Sequence, residues 1–197
     1  MRSFVAVDLP EAIKAAISEQ QHALRAAACV TSGRNEDMKW TRPEGIHLTL
    51  KFLGEISARQ VVQVTEALAG LGSFEPFALQ VQGFGFFPDA CRPRVFWVGV
   101  KAPPALGHLA HRVETAMERL GFAAEGRTFS PHLTLARFNV SRPQPELVAL
   151  LEPKRELILG RFEVSEIFLF ESRLSSYGAQ YQKVAHFPRS SGTGAGP

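Results

Sequence analysis

Residues 46–54 read IHLTLKFLG, and residues 131–139 read PHLTLARFN. Each contains His-Leu-Thr-Leu, with a basic residue and a phenylalanine close behind. At average residue usage, such a tetrapeptide occurs on the order of once per hundred thousand positions. Two copies in a chain of 197 residues are hard to assign to chance. Side chains alternate faces along a strand. In the first copy Ile46, Leu48, Leu50 and Phe52 fall on one face and His47, Thr49 and Lys51 on the other. In the second, Leu133 and Leu135 oppose His132 and Thr134. Each copy thus predicts a strand with an apolar face for a core and an opposite face presenting an imidazole beside a hydroxyl. Structural duplication without chemistry is the competing explanation.

The segments around the two copies alternate between strand and helix signals. SFVAVDL (3–9) is a β-branched and aromatic run that stops at Pro10, and PEAIKAAISEQQHALRAAA (10–28) reads as a helix with Ile13, Ile17 and Leu24 at helical spacing. TSGRNED (31–37) has loop composition. MKWTRPEGIHLTLKFLG (38–54) holds two strand-like pieces around a Pro-Glu-Gly turn, and SARQVVQVTEALAGLG (57–72) is a helix closed by glycines. FALQVQGFGFFP and RVFWVGV read as strands joined by a turn. PALGHLAHRVETAMERLGF is a helix with Leu106, Leu109, Val113, Met117 and Leu120 on one face. FSPHLTLARF is the second motif strand, PQPELVALLEP a weaker helix, and FEVSEIFLFES and QYQKVAHFP two final strands. Two hairpin-like strand pairs, and the absence of a glycine-rich phosphate turn, favour an α+β fold with antiparallel sheets over a doubly wound parallel one. The similar order around the two motifs points to two related lobes.

Composition narrows the setting. Apolar residues make up 45% and charged residues 21% of the chain, ordinary values for a globular protein of one domain. A net charge of +3 leans weakly towards an anionic partner. Two cysteines, Cys29 and Cys91, give neither a disulfide framework nor a metal-ligand spacing, and read as reduced thiols. No stretch reads as a signal peptide or a membrane span, so the expected location is the cytoplasm. The terminal RSSGTGAGP (189–197) is expected to be a flexible tail after a unit spanning residues 1–188.

Two imidazoles and two hydroxyls suit phosphodiester chemistry. Histidine titrates near neutrality, so one ring can take a proton from an attacking group while the other gives one to a leaving group. Threonine hydroxyls donate hydrogen bonds to oxygens on which charge builds up. Metal binding is less well supported: neither motif has a closely spaced second ligand, and His108 and His111 lack an acidic or cysteine partner at a convincing spacing. No G-x-S-x-G elbow is present for serine catalysis.

With its paired H-x-T-x motifs the chain resembles the 2H phosphoesterase superfamily, and within it the RNA 2′,3′-cyclic phosphodiesterases of the 2′-5′ RNA ligase family. RSFVAVDLP, KWTRPEGIHLTLKFLGE, GFGFFP, RPRVFWVGV, RTFSPHLTLARF and IFLFESRLSSYGAQY carry the likeness in the family's order from residue 2 to about 188. The resemblance implies a bilobal α+β fold, with two pseudo-symmetric, mainly antiparallel sheets, helices on the outside and a central cleft lined by one motif from each lobe. It implies hydrolysis of an RNA-terminal 2′,3′-cyclic phosphate to a 2′-phosphomonoester and a 3′-hydroxyl, without cofactor or metal; because one chain holds both motifs, a monomer is expected. The substrates would be RNA ends or nucleoside 2′,3′-cyclic phosphates. By the family's pattern His47 is the general acid and His132 the general base, a polarity the sequence itself does not fix. Thr49 and Thr134 match the motif threonines. Arg137 looks like the family's phosphate-contacting arginine, and Phe52 like its stacker of the terminal base. Strict alternation puts both on the face opposite the histidines, so a strand end or bulge is required to bring them round. Arg127, Lys51 and Lys39 could add positive charge around the cleft, with solvated surface as the alternative. An ATP-independent 2′-5′ RNA ligase on the same site and a non-catalytic RNA- or nucleotide-binding module are the other readings.

Overall fold

The two motif strands form where the alternation predicts them, and they lie in different sheets. The computed structural model describes residues 1–32, 38–175 and 178–188. The first part of the chain holds β1 (Arg2–Val7), α1 (Glu11–Ser32), β2 (Met38–Trp40), a 3₁₀ turn (Pro43–Gly45), β3 (Leu48–Glu55) and α2 (Ala58–Ala69). There follow β4 (Phe77–Phe87), β5 (Val95–Lys101), α3 (Pro104–Arg119), β6 (His132–Phe138) and α4 (Pro145–Leu151). The last strands are β7 (Ile158–Val164), β8 (Glu166–Ser175) and β9 (Gly178–Pro188). A four-stranded sheet has the order β3-β1-β8-β9 and a five-stranded sheet the order β2-β6-β5-β4-β7. All pairings in both are antiparallel. The fold is the expected α+β arrangement.

Local signals explain where the helices begin. Ser57 caps α2 by accepting from the Gln60 N–H, while the Gln60 side chain accepts from the Ser57 N–H. In α3 the residues Leu106, Leu109, Val113 and Met117 are buried at the predicted spacing. The two long helices exchange lobes. Helix α1 leaves β1 of the smaller sheet but packs on β7 and α4 of the larger half, whereas α3 leaves β5 of the larger sheet and packs on β3 and α2. One continuous core results, joining Val5, Val7 and Leu48 to Leu79, Phe96, Val98, Leu133 and Leu135. A separate cluster of Phe4, Ala6 and Phe170, flanked by Phe168 and Tyr181, occupies the opposite face of the smaller sheet.

One expectation needs correction. FEVSEIFLFES, read as one strand, is the end of β7 and most of β8, which belong to different sheets. Phe162 and Val164 are buried, then Ile167 and Leu169. The spacing slips by one residue at Ser165, where the chain crosses between sheets, and the two buried runs look continuous in sequence. The tail at 189–197 and most of the 31–37 loop lie outside the described residues. Among the described residues no helix is long and apolar enough to cross a membrane.

Candidate active site

Strict alternation fails in both motif strands at the same place. On β3, Thr49 pairs with Ala6 and Lys51 with Val5, which leaves Leu50 as an extra residue. On β6, Thr134 pairs with Trp97 and Ala136 with Phe96, which leaves Leu135 extra. Each is a β-bulge one residue after the threonine, and a bulge re-aims everything beyond it. Leu50 and Lys51 therefore both turn inward, as do Leu135 and Ala136. Beyond the bulge Phe52 emerges 60% exposed, its ring centroid 6.0 Å from that of Phe4. Phe4 in turn stacks on His47 at 4.3 Å, so Phe52 and His47 share a face. Arg137 emerges in the same way from β6, and its charge acts on both His47 and His132. The bulges bring the fifth residue after each histidine onto the histidine's own face.

The histidines are held alike. The His132 Nδ1 lies 2.8 Å from the Ser130 carbonyl oxygen. A carbonyl only accepts, so Nδ1 carries the proton and Nε2 keeps its lone pair. His47 likewise donates a ring N–H to the carbonyl of Gly45. In both halves the acceptor is the residue two before the histidine. Aromatic rings complete each seat. His47 stacks on Phe4 at 4.3 Å, with Phe170 nearly parallel at 5.9 Å and Tyr181 edge-on at 5.0 Å, and His132 meets Phe87 edge-on at 4.8 Å. Gly45 is glycine because Tyr181 lies against it: a Cβ there would come within 2.8 Å of the Tyr181 ring.

Burial favours the neutral form of both imidazoles. It pushes His47 down to about 4, helped by the charges of Arg137 and Lys14 and opposed by Asp8 and by the bond to Gly45. His132 is also lowered, by burial and then by Arg137, against the bond to Ser130. Asp8 sits at the end of β1, with Lys183 at 2.6 Å and Lys14 at 3.1 Å. Burial raises its carboxyl, but the hydrogen bonds from Lys183 and Lys14 outweigh this and hold it below the ordinary value. Asp8, Lys14, His47, Tyr181 and Lys183 are among the residues lining a pocket of about 400 Å³.

The remaining basic residues divide. Lys39 lies directly across from Arg137 on β2, on the same face. Lys51 does not face the cleft at all; the bulge buries it, and it pairs with Glu114 at 2.5 Å. Arg127 is an exposed surface residue near Glu125. His108 and His111 are both exposed on α3. Among the described residues no three His, Cys, Asp or Glu side chains gather as metal ligands.

Sequence reasoning missed Phe4, Asp8, Phe170, Tyr181 and Phe87. For two of them a signal existed. Alternation along SFVAVDL places Phe4, Ala6 and Asp8 on the face opposite Val5, Val7 and Leu9. An aromatic and a carboxylate on the non-core side of a buried strand mark the wall of a site.

The family model of the 2′-5′ RNA ligase superfamily matches residues 5–175. The chain belongs to that superfamily. An RNA 2′,3′-cyclic phosphodiesterase of Aeropyrum pernix is 39% identical over 148 residues, covering 75% of this chain and 84% of the relative. One from Archaeoglobus fulgidus is 33% identical over 187 residues, covering 95% and 99%. Among solved structures, a Thermus thermophilus protein superposes with a TM-score of 0.77 at 28% identity, covering 96% of this chain and 98% of its own. LigT of E. coli, solved with 3′-AMP, gives a TM-score of 0.75 at 26% identity over 96% and 98%.

Proposed function

We propose that this protein hydrolyses RNA-terminal 2′,3′-cyclic phosphates to a 2′-phosphomonoester and a 3′-hydroxyl. The observation that carries the reading is the convergence of two His-x-Thr strands from two sheets around one guanidinium whose charge reaches both imidazoles. The names of the relatives supply the substrate class. His132, whose Nδ1–H donates to the Ser130 carbonyl, presents a free Nε2 and acts as the base. It takes a proton from water as the water oxygen attacks phosphorus. The P–O3′ bond breaks, and His47 gives its proton to the departing 3′ oxygen. Thr49 and Thr134 donate to the non-bridging oxygens, Arg137 pairs with the phosphate, and Phe52 stacks on the terminal base.

The depressed titration of His47 fits this scheme. An acid that is neutral in the protein alone must gain its proton with the substrate. The anionic phosphodiester neutralises Arg137, which otherwise opposes the imidazolium, and adds to the pull of Asp8. The site thus arms its acid only when a phosphate is present. Run in reverse, the same groups join RNA ends through a 2′-5′ linkage without ATP, but water at solvent concentration favours hydrolysis. One chain supplies both motifs, so a monomer suffices.

The test is incubation in EDTA with an RNA ending in a 2′,3′-cyclic phosphate, followed by identification of the new end. A 2′-phosphate is expected. A 3′-phosphate, no reaction, or turnover only with added metal would overturn the reading.

A further inference from the structure

Lys51 belongs to the first motif strand, yet its contacts all lie on the way into the second. The bulge at Leu50 turns it into the interior, where it is 6% exposed. Its Nζ donates to Glu114 Oε1 on α3 at 2.5 Å and to the Ala123 carbonyl at 2.6 Å. The same Glu114 oxygen accepts the Glu125 N–H at 2.7 Å. Ala123 and Glu125 lie in the segment 122–131, which has no helix or strand and runs directly into β6. Further along that segment, Phe129 packs against the core and the Ser130 carbonyl fixes the His132 tautomer.

A buried ion pair is a poor way to gain stability. Desolvating both charges is costly, and well-packed apolar residues in the same place often do as well or better. What the pair supplies instead is direction. An ammonium with two fixed oxygen partners specifies where an otherwise irregular loop must lie. Because α3 packs on β3, that loop is registered against the strand that carries His47.

We propose that Lys51 is a positioning residue for His132: through Glu114 it pins the 122–131 loop to the first motif strand, so that each histidine is placed relative to the other. The proposal rests on the phosphodiesterase reading for its kinetic consequence alone. Lys51 touches no reacting atom in it. A purely structural role for the pair makes different predictions, and three variants separate the two.

Lys51→Met alone leaves the half-buried Glu114 without its cation and lowers Tm. Lys51→Met with Glu114→Leu removes both charges and regains Tm. If the pin positions His132, the double variant still turns over about 10- to 100-fold more slowly, with KM within about twofold of the parent, since small misplacements of reacting groups act on kcat. Its His132 ring, read by nitrogen-15 NMR without substrate, no longer holds the single Nδ1-protonated tautomer. A double variant with parental kcat and parental tautomer would overturn the proposal. The third variant adds one glycine after Gly126, an exposed position with nothing near its Cβ. This leaves the ion pair intact but slackens the link to Ser130. The same loss of kcat and tautomer is expected, and an unaltered kcat and ring would again overturn the proposal. The NMR measurement does not depend on turnover. An inactive parent would therefore sink the phosphodiesterase reading while the pin remained testable.

Discussion

The two bulged strands share a geometry and differ in how it is held. At the first bulge the strand reaches out: Lys51 extends into the interior and meets Glu114 of α3. At the second, position 136 is an alanine, and the helix reaches in. The buried amide of Gln21 on α1 donates to the Leu135 carbonyl at 3.0 Å and to the Thr41 carbonyl at 2.9 Å. The Leu135 oxygen also accepts the Thr41 N–H at 2.8 Å. One clasp is ionic and acts through the residue that follows the extra one, while the other is neutral and holds the extra residue's own carbonyl. The comparison separates requirement from solution. A histidine, a hydroxyl and a re-aimed fifth residue recur, while the chemistry that holds them follows whichever helix packs underneath. The flanks differ too. β3 is an edge strand whose fifth residue is Phe52, whereas β6 is covered by β2 and offers Arg137 beside Lys39.

Equivalence of the halves is broken most directly at the histidines. His47→Ala and His132→Ala should each lower kcat by about 10²- to 10⁴-fold. A variant that keeps near-full activity in a steady-state assay on a cyclic-phosphate RNA end would show that one half works alone.

A second prediction turns on the lowered titration of His47. Its folded-state pKa of about 4 lies below the unfolded 6.5. The unfolded chain therefore binds the extra proton between those values, and stability falls as pH drops from about 6.5 to 4. The contribution is on the order of 3 kcal/mol and is fully present above the unfolded pKa. Thermal unfolding across that range should show the fall in the parent and a shallower one in His47→Gln. Parallel curves would mean that His47 is not held neutral.

The two fifth residues should separate base from phosphate. Phe52→Ala is expected to raise KM by a factor equivalent to ~1–3 kcal/mol with kcat little changed, the usual size of a base–aromatic stack. An unchanged KM would return Phe52 to the ordinary surface. The smallest effect concerns Lys39. Lys39→Ala should reduce the salt dependence of oligonucleotide affinity by about one in slope. An unaltered slope would leave Arg137 as the sole cation of that strand face to matter.

Much of this architecture was legible in the sequence. The repeated tetrapeptide located both motif strands, and the helical spacing of Leu106, Leu109, Val113 and Met117 located the face of α3. What escaped has a common cause: a period of two carries no mark of an inserted residue. Lys51 looked like a cleft residue for that reason alone, and Phe52 and Arg137 looked misplaced. The break at Ser165 was hidden by the same continuity of apolar residues. The lobe exchange of α1 and α3 was beyond reach, because an amphipathic helix announces that it has a buried face without saying whose.

That exchange makes the halves mutually dependent in a way that sheet order alone conceals. Cutting the chain at the exposed Gly72 would give an N-terminal piece with β1 and β3 of one sheet and β2 of the other. The remainder would keep β8 and β9 and the rest of the larger sheet. Each piece would own one motif histidine, neither would own a whole sheet, and each would hold the helix that covers the other's strands. Such fragments can only complement one another. The duplicated motif has become two signatures on a single contract, void unless both are present.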